Sequence, residues 1–233
     1  DRTVGLPCRH RIPLPRFWAL SPDDAATMPL PSGGIFMTKE FVSPFTGTYW
    51  RCAAREFRSP RMLVFAALML ALRIVLGMLI VPVGDNLRML FKFIPDCIGA
   101  MIYGPFMGMC VGGLGDILGY VIFPTGAFFP GYTVSAILTN LVFALFLYRR
   151  EISYLRLFLA RLVTNVVINV GLGSLWSYTL YGKGYLFYAA KSIVKNLVLL
   201  PVEVVILIAL ITLLLPVMNS LSLTPKQDSI RKI

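Results

Sequence analysis

The sequence is poor in charge and in the side chains that carry most enzyme chemistry. Only 14% of its 233 residues are charged, against 57% apolar. A water-facing domain surface takes about a quarter charged residues, so a soluble domain is excluded, as is a disordered chain. There is one histidine, His10, and four cysteines, Cys8, Cys52, Cys97 and Cys110, with no C-x-x-C spacing. That excludes a Cys/His metal site and a disulfide scaffold. The sequence has no G-x-x-x-x-G-K-[ST] phosphate loop, no G-x-S-x-G and no H-E-x-x-H, which removes the corresponding ATPase, hydrolase and metalloprotease readings. No catalytic residue, cofactor or metal is therefore expected, and the chain is not read as an enzyme.

Long apolar runs are what the sequence does have. The mean hydropathy is +0.76, and about 20 apolar residues span a bilayer. Six such runs follow Arg61: Met62 to Val81, Arg88 to Tyr103, Phe106 to Phe123, Gly131 to Tyr148, Leu155 to Tyr181 and Tyr188 to Leu215. Turn-forming Pro-Val-Gly-Asp-Asn, Gly-Pro, Pro-Thr-Gly, Arg-Arg-Glu and Gly-Lys-Gly stretches separate them. The fold class is all-α, a polytopic membrane protein of six transmembrane helices. Residues 1–60 hold eight of the sixteen prolines and no long apolar run; they read as a disordered or surface extension, with a helix starting near Ala53 at the membrane surface. Residues 61–218 form the six-helix membrane domain and 219–233 a tail.

The net charge of +11 would suggest nucleic acid in a soluble protein, but its placement argues against that partner. Arg51, Arg55, Arg58 and Arg61 precede the first helix, Arg149, Arg150 and Arg156 flank the fourth loop, and Lys226, Arg231 and Lys232 end the chain. The other side has Lys183, with Arg88 and Lys92 opening the second helix. Basic residues favour the cytoplasmic side, which puts both termini there.

Ionisable groups at membrane depth cost on the order of 2.5–3.5 kcal/mol each, so they turn inward or mark a site. Arg161, Asn165 and Asn169 recur every four residues on the fifth helix and share a stripe, to which Trp176 returns seven residues later. A guanidinium, two amides and an indole suit an anionic aromatic ligand; simple interhelical hydrogen bonding is the alternative. The sixth helix carries Lys191 and Lys195, Asn196 and Glu203. Lys195 is the preferred second cation, and Glu203 could balance a buried charge. Lys92 and Asp96, four apart, read as a self-neutralising pair; Arg73 needs either Asp96 or Asp116. The glycines from Gly108 to Gly119 allow close backbone approach, leaving Asp116 as a counter-ion or a proton relay.

Two stretches resemble a known family. One is Gly112-Gly113-Leu114-Gly115-Asp116-Ile117-Leu118-Gly119, continued by Phe123-Pro124-Thr125-Gly126-Ala127-Phe128-Phe129-Pro130-Gly131-Tyr132-Thr133. The other is Arg161-Leu162-Val163-Thr164-Asn165 through Asn169 to Trp176, then Leu180-Tyr181-Gly182-Lys183. They resemble the folate-type substrate-binding (S) components of energy-coupling-factor (ECF) vitamin transporters, over about residues 53–216. The resemblance implies a multi-pass plasma-membrane protein that captures folate from outside. It also implies docking on a transmembrane coupling protein and two cytoplasmic ATPases, which drive release inside. Phe128, Phe129, Tyr132 and Trp176 would hold the pterin, Asn165 and Asn169 its heteroatoms, Arg161 and Lys195 the carboxylates. Ala67 and Ala71 match the small-residue docking pattern of the first helix, with close packing inside the bundle as the alternative. The loops Pro82–Leu87 and Pro124–Pro130 would lid the site. Lys191 stands where the folate type has arginine and Gly173 where it has asparagine. An S component for another vitamin, a membrane enzyme using Asp96 and Asp116, and a scaffold are the rival readings.

Overall fold

The computed structural model describes residues 43–84, 87–124, 128–182, 184–221, 223–225, 227 and 229–231. The elements are α1 (Gly47–Phe57), α2 (Pro60–Met78), β1 (Ile80–Gly84), β2 (Leu87–Leu90), α3 (Phe93–Ile122), α4 (Pro130–Leu147), α5 (Tyr154–Tyr181) and α6 (Tyr185–Ser220). The elements from α2 to α6 are five helical stretches long and apolar enough to cross a membrane. The protein is a polytopic helical membrane protein.

Local chemistry sets the boundaries. Pro60 and Pro130 open α2 and α4 at the first turn, where the missing N–H costs nothing. Ser153 caps α5 by accepting from the Arg156 N–H at 3.3 Å. Gly182 ends it with φ 69°, the left-handed closure that glycine adopts freely. α3 is two helices, because Gly104 has φ 80° and ψ −170° and Pro105 follows it; 93–103 and 105–122 correspond to the expected second and third spans. A Cβ at Gly104 would lie 2.9 Å from the Tyr148 ring, so that tyrosine seats directly on the break.

Two features differ from the sequence reading. β1 and β2 pair antiparallel, Ile80 with Leu90 and Val81 with Met89, and the second helix starts at Phe93 rather than near Arg88. Thr164–Leu172, within α5, is π-helix. Its Thr164, Val166, Val167, Ile168 and Val170 are β-branched, a crowded run for regular α-helical turns.

The outward faces are apolar. α2 buries only a stripe of Met62, Ala66 and Arg73, while its other faces expose Leu63, Val64 (70% accessible), Leu68 and Val75. Exposed leucine and valine on long helices are the expected lipid surface, since lipid tails offer the same environment as a core. α6, with 36 residues, is about 54 Å long at 1.5 Å per residue, well beyond the bilayer core of about 30 Å.

At the end of the bundle where α4 finishes and α5 begins, the flanking segments are packed. Tyr49 on α1 donates from its hydroxyl to the Ala144 carbonyl at 2.9 Å. Gln227 exchanges two bonds with the Ile152 backbone at 2.8 and 2.7 Å. Of the extension expected over 1–60, residues 1–42 lie outside the described residues; the helix expected near Ala53 begins at Gly47 and buries Tyr49, Cys52, Ala53 and Glu56.

Candidate functional site

The polar interior is built by α5 and α6. Arg161, 5% accessible, and Glu203, 6% accessible, form a bidentate pair. Arg161 Nη2 lies 2.6 Å from Glu203 Oε1, and Arg161 Nε donates to Oε2 at 2.8 Å. The guanidinium also lies 4.5 Å from the centroid of the Phe93 ring, a cation–π distance. Asn165, 1% accessible, donates to the same Glu203 Oε2 at 3.1 Å. Asn169 donates to Asn165 Oδ1 at 2.9 Å and to Asn196 Oδ1 at 3.4 Å. Ser192 donates to the Asn169 carbonyl at 3.1 Å, and Asn196 donates to the Ser192 hydroxyl at 3.1 Å.

The stripe predicted on the fifth helix is therefore a continuous ladder, from a buried ion pair at Arg161 to an accessible amide at Asn169. Its place on the stripe predicts Arg161 as an open cation for the ligand's carboxylates, but it is paired with Glu203. A guanidinium at that depth requires a counter-charge, and Glu203 supplies it.

The aromatic residues form a second group. Phe129 lies 5.6 Å from Trp176 and 6.1 Å from Tyr132, centroid to centroid. Trp176 Nε1 donates to Ser135 Oγ at 2.9 Å, fixing the indole against α4. Gly131 makes this possible: a Cβ there would lie 2.4 Å from Phe129 Cε1 and 2.6 Å from Trp176 Cδ2. Phe128 points elsewhere, 5.1 Å from Tyr120, and is 45% accessible. Trp176 does not return to the side that Asn169 uses. Asn169 meets α6 whereas Trp176 meets α4, because the intervening π-helix turns through a smaller angle per residue than the 100° of an α-helix. Thr125, Gly126 and Ala127, part of the loop expected to lid the site, lie outside the described residues, as does Lys183.

Arg73 is paired with Asp96, one of the two partners expected for it, so Asp96 answers Arg73 rather than forming a self-contained pair with Lys92. Asp116 instead accepts from the Thr133 hydroxyl at 2.9 Å. Gly115 admits the arginine, since a Cβ there would lie 2.5 Å from Arg73 Cδ. Lys92, just after β2, comes within electrostatic reach of Arg73, Asp116 and Asp96, and more weakly of Lys195 on α6. Lys195 is half-buried and Lys191 exposed. Ala67 and Ala71 lie on the exposed face of α2, so close packing inside the bundle does not explain them. Among the described residues, no group of three or more His, Cys, Asp or Glu side chains could hold a metal. A cavity of about 720 Å³ at the opposite end, between Tyr154, Thr212, Pro216, Asn219 and Arg231, touches none of these groups.

Among the described residues, five apolar helical stretches long enough to cross a membrane, an amide ladder between α5 and α6 and an aromatic cluster between α4 and α5 define a polytopic membrane protein with a polar interior. The family described as "ECF transporter, substrate-specific component" matches residues 61–213, and the chain belongs to it. It is a transporter component, not an enzyme. The folate transporter FolT of Clostridium novyi (strain NT) is 30% identical over 145 residues, covering 62% of this chain and 84% of that protein. FolT of Leuconostoc mesenteroides subsp. mesenteroides is 30% identical over 151 residues, covering 62% and 80%. A crystal structure of FolT bound with folic acid superposes with a TM-score of 0.60 at 27% identity, covering 65% of this chain and 93% of that one.

Proposed function

We propose that this protein is the folate-capturing S component of an ECF importer in the plasma membrane, with both termini in the cytoplasm. The observation that carries the proposal is its likeness, over 93% of that chain's length, to FolT bound with folic acid. Phe129, Tyr132 and Trp176 offer flat surface for a pterin, with Phe128 at the rim. Asn165 and Asn169 offer amide donors and acceptors for its ring heteroatoms. Lys195 attracts the glutamyl carboxylates. Arg161 acts one step back, holding Glu203 and through it the orientation of Asn165.

The chain has no phosphate loop, so the energy comes from partners. We place a transmembrane coupling protein against the exposed Ala67–Ala71 face of α2, with two cytoplasmic ATPases behind it. Lys191 and Gly173, which depart from the folate-type pattern, favour the one alternative we keep, an S component for another vitamin. A panel of vitamins titrated against the purified protein decides between them. Folate must give the tightest response, and a tighter response to another vitamin removes the folate assignment while leaving the family.

A further inference from the structure

We propose that α1 is a recognition surface for the headgroups of anionic lipids in the leaflet that faces the termini. The helix is divided into three sectors. Tyr49, Cys52, Ala53 and Glu56 are buried, at the i, i+3, i+4, i+7 spacing of one helical face. Trp50, Ala54 and Phe57 form the next sector and Arg51, Arg55 and Arg58 the third; all six are exposed. A buried face, an aromatic flank and a basic flank are the pattern of a helix lying in the membrane interface.

Its position in the fold agrees. Two residues separate α1 from α2. Tyr49 bonds the last turn of α4 through the Ala144 carbonyl, and Trp50 lies 5.6 Å from Phe106, just beyond the break in α3. The helix therefore crosses the level at which three spanning helices start or end, where phosphate groups lie. It is also held firmly. Arg149 Nη2 and the Tyr148 hydroxyl both donate to Glu56 Oε1, at 3.1 and 3.0 Å, and Tyr49 packs edge-on against Tyr148 at 5.2 Å. The three arginines are thus presented on a rigid helix rather than a flexible tail.

The test uses the full chain in detergent, titrated with equal amounts of phosphatidylglycerol and phosphatidylcholine and read by native mass spectrometry. A basic residue near an anionic surface contributes about fivefold. The wild type should retain phosphatidylglycerol in clear excess, and less so as ionic strength rises. The triple variant Arg51→Gln, Arg55→Gln, Arg58→Gln should lose about tenfold or more of that excess. Arg51→Lys, Arg55→Lys, Arg58→Lys should keep it. An unchanged thermal midpoint would show the glutamine variant folded, as expected for exposed positions. Equal lipid preference in the glutamine variant and the wild type would overturn the proposal. So would an unchanged lipid preference combined with loss of a protein partner, which would assign the face to that partner instead.

Discussion

The Arg161–Glu203 pair gives the sharpest energetic test of the interior. Glu203→Gln keeps the side-chain shape but removes the charge that accepts from Arg161 at 2.6 and 2.8 Å and from Asn165 at 3.1 Å. What then remains beside the guanidinium is chiefly the Phe93 ring at 4.5 Å, which does not neutralise it. Breaking a buried pair from one side costs about 3–5 kcal/mol, because it leaves an uncompensated charge. At about 2–4 °C per kcal/mol for a chain of this size, the thermal midpoint should fall by about 6–20 °C. Replacing both partners with apolar residues removes the charge as well as its partner, so Arg161→Met with Glu203→Met should recover most of the loss. The assay is thermal unfolding of Glu203→Gln, of Arg161→Met and Glu203→Met alone and of their double variant in one detergent, followed by intrinsic tryptophan fluorescence. A Glu203→Gln midpoint within about 1 °C of wild type would refute the reasoning, as would a double variant whose loss is the sum of the two singles.

The remaining predictions concern the ligand and its delivery. Lys195→Ala should weaken folate binding by about 1.5–3 kcal/mol, the worth of a charge-assisted hydrogen bond; calorimetric titration showing unchanged affinity removes Lys195 from the site. Gly131→Ala, whose Cβ would intrude between Phe129 and Trp176, should lower folate affinity by about tenfold, equivalent to 1.4 kcal/mol, and shift the tryptophan emission. Wild-type emission and affinity would show that the ring pair is not the pterin surface. Ala67→Leu with Ala71→Leu, both exposed, should leave folate binding intact while preventing co-purification with the coupling protein; retained co-purification would move the docking face elsewhere. Gly104→Ala should destabilise by about 1–3 kcal/mol, since it forces a positive φ on a side chain beneath the Tyr148 ring. A thermal midpoint equal to wild type would contradict that.

The spans were legible because a membrane helix must be apolar along its length, and the Gly104-Pro105 stop was legible because both residues resist helical continuation. The pairing of β1 with β2 was not. Two strands of five and four residues, the first of them ending in Pro-Val-Gly, look like a loop with apolar edges. The four-residue spacing of Arg161, Asn165 and Asn169 correctly placed them on one ladder, because an i,i+4 bond joins the two amides. Extending the same count to Trp176 failed, because the π-helical segment breaks the 3.6-residue period on which the count depends.

Charge pairing was the least readable level. Lys92 and Asp96 are four apart, yet Asp96 pairs with Arg73, twenty-three residues away. Tertiary packing around Gly115 brings that arginine in, and spacing along one helix holds no record of it. Glu203 was recognisable as a counter-ion in kind, but its partner on another helix could not be chosen before the fold was in hand.

The most direct measurement of the central claim is a folate titration of the purified full chain, read by tryptophan fluorescence and checked by mass spectrometry of any co-purified small molecule. The account predicts a saturable one-to-one response to folate, abolished when Trp176→Ala is combined with Lys195→Ala. No response to folate, with a different vitamin retained by the protein, would contradict it.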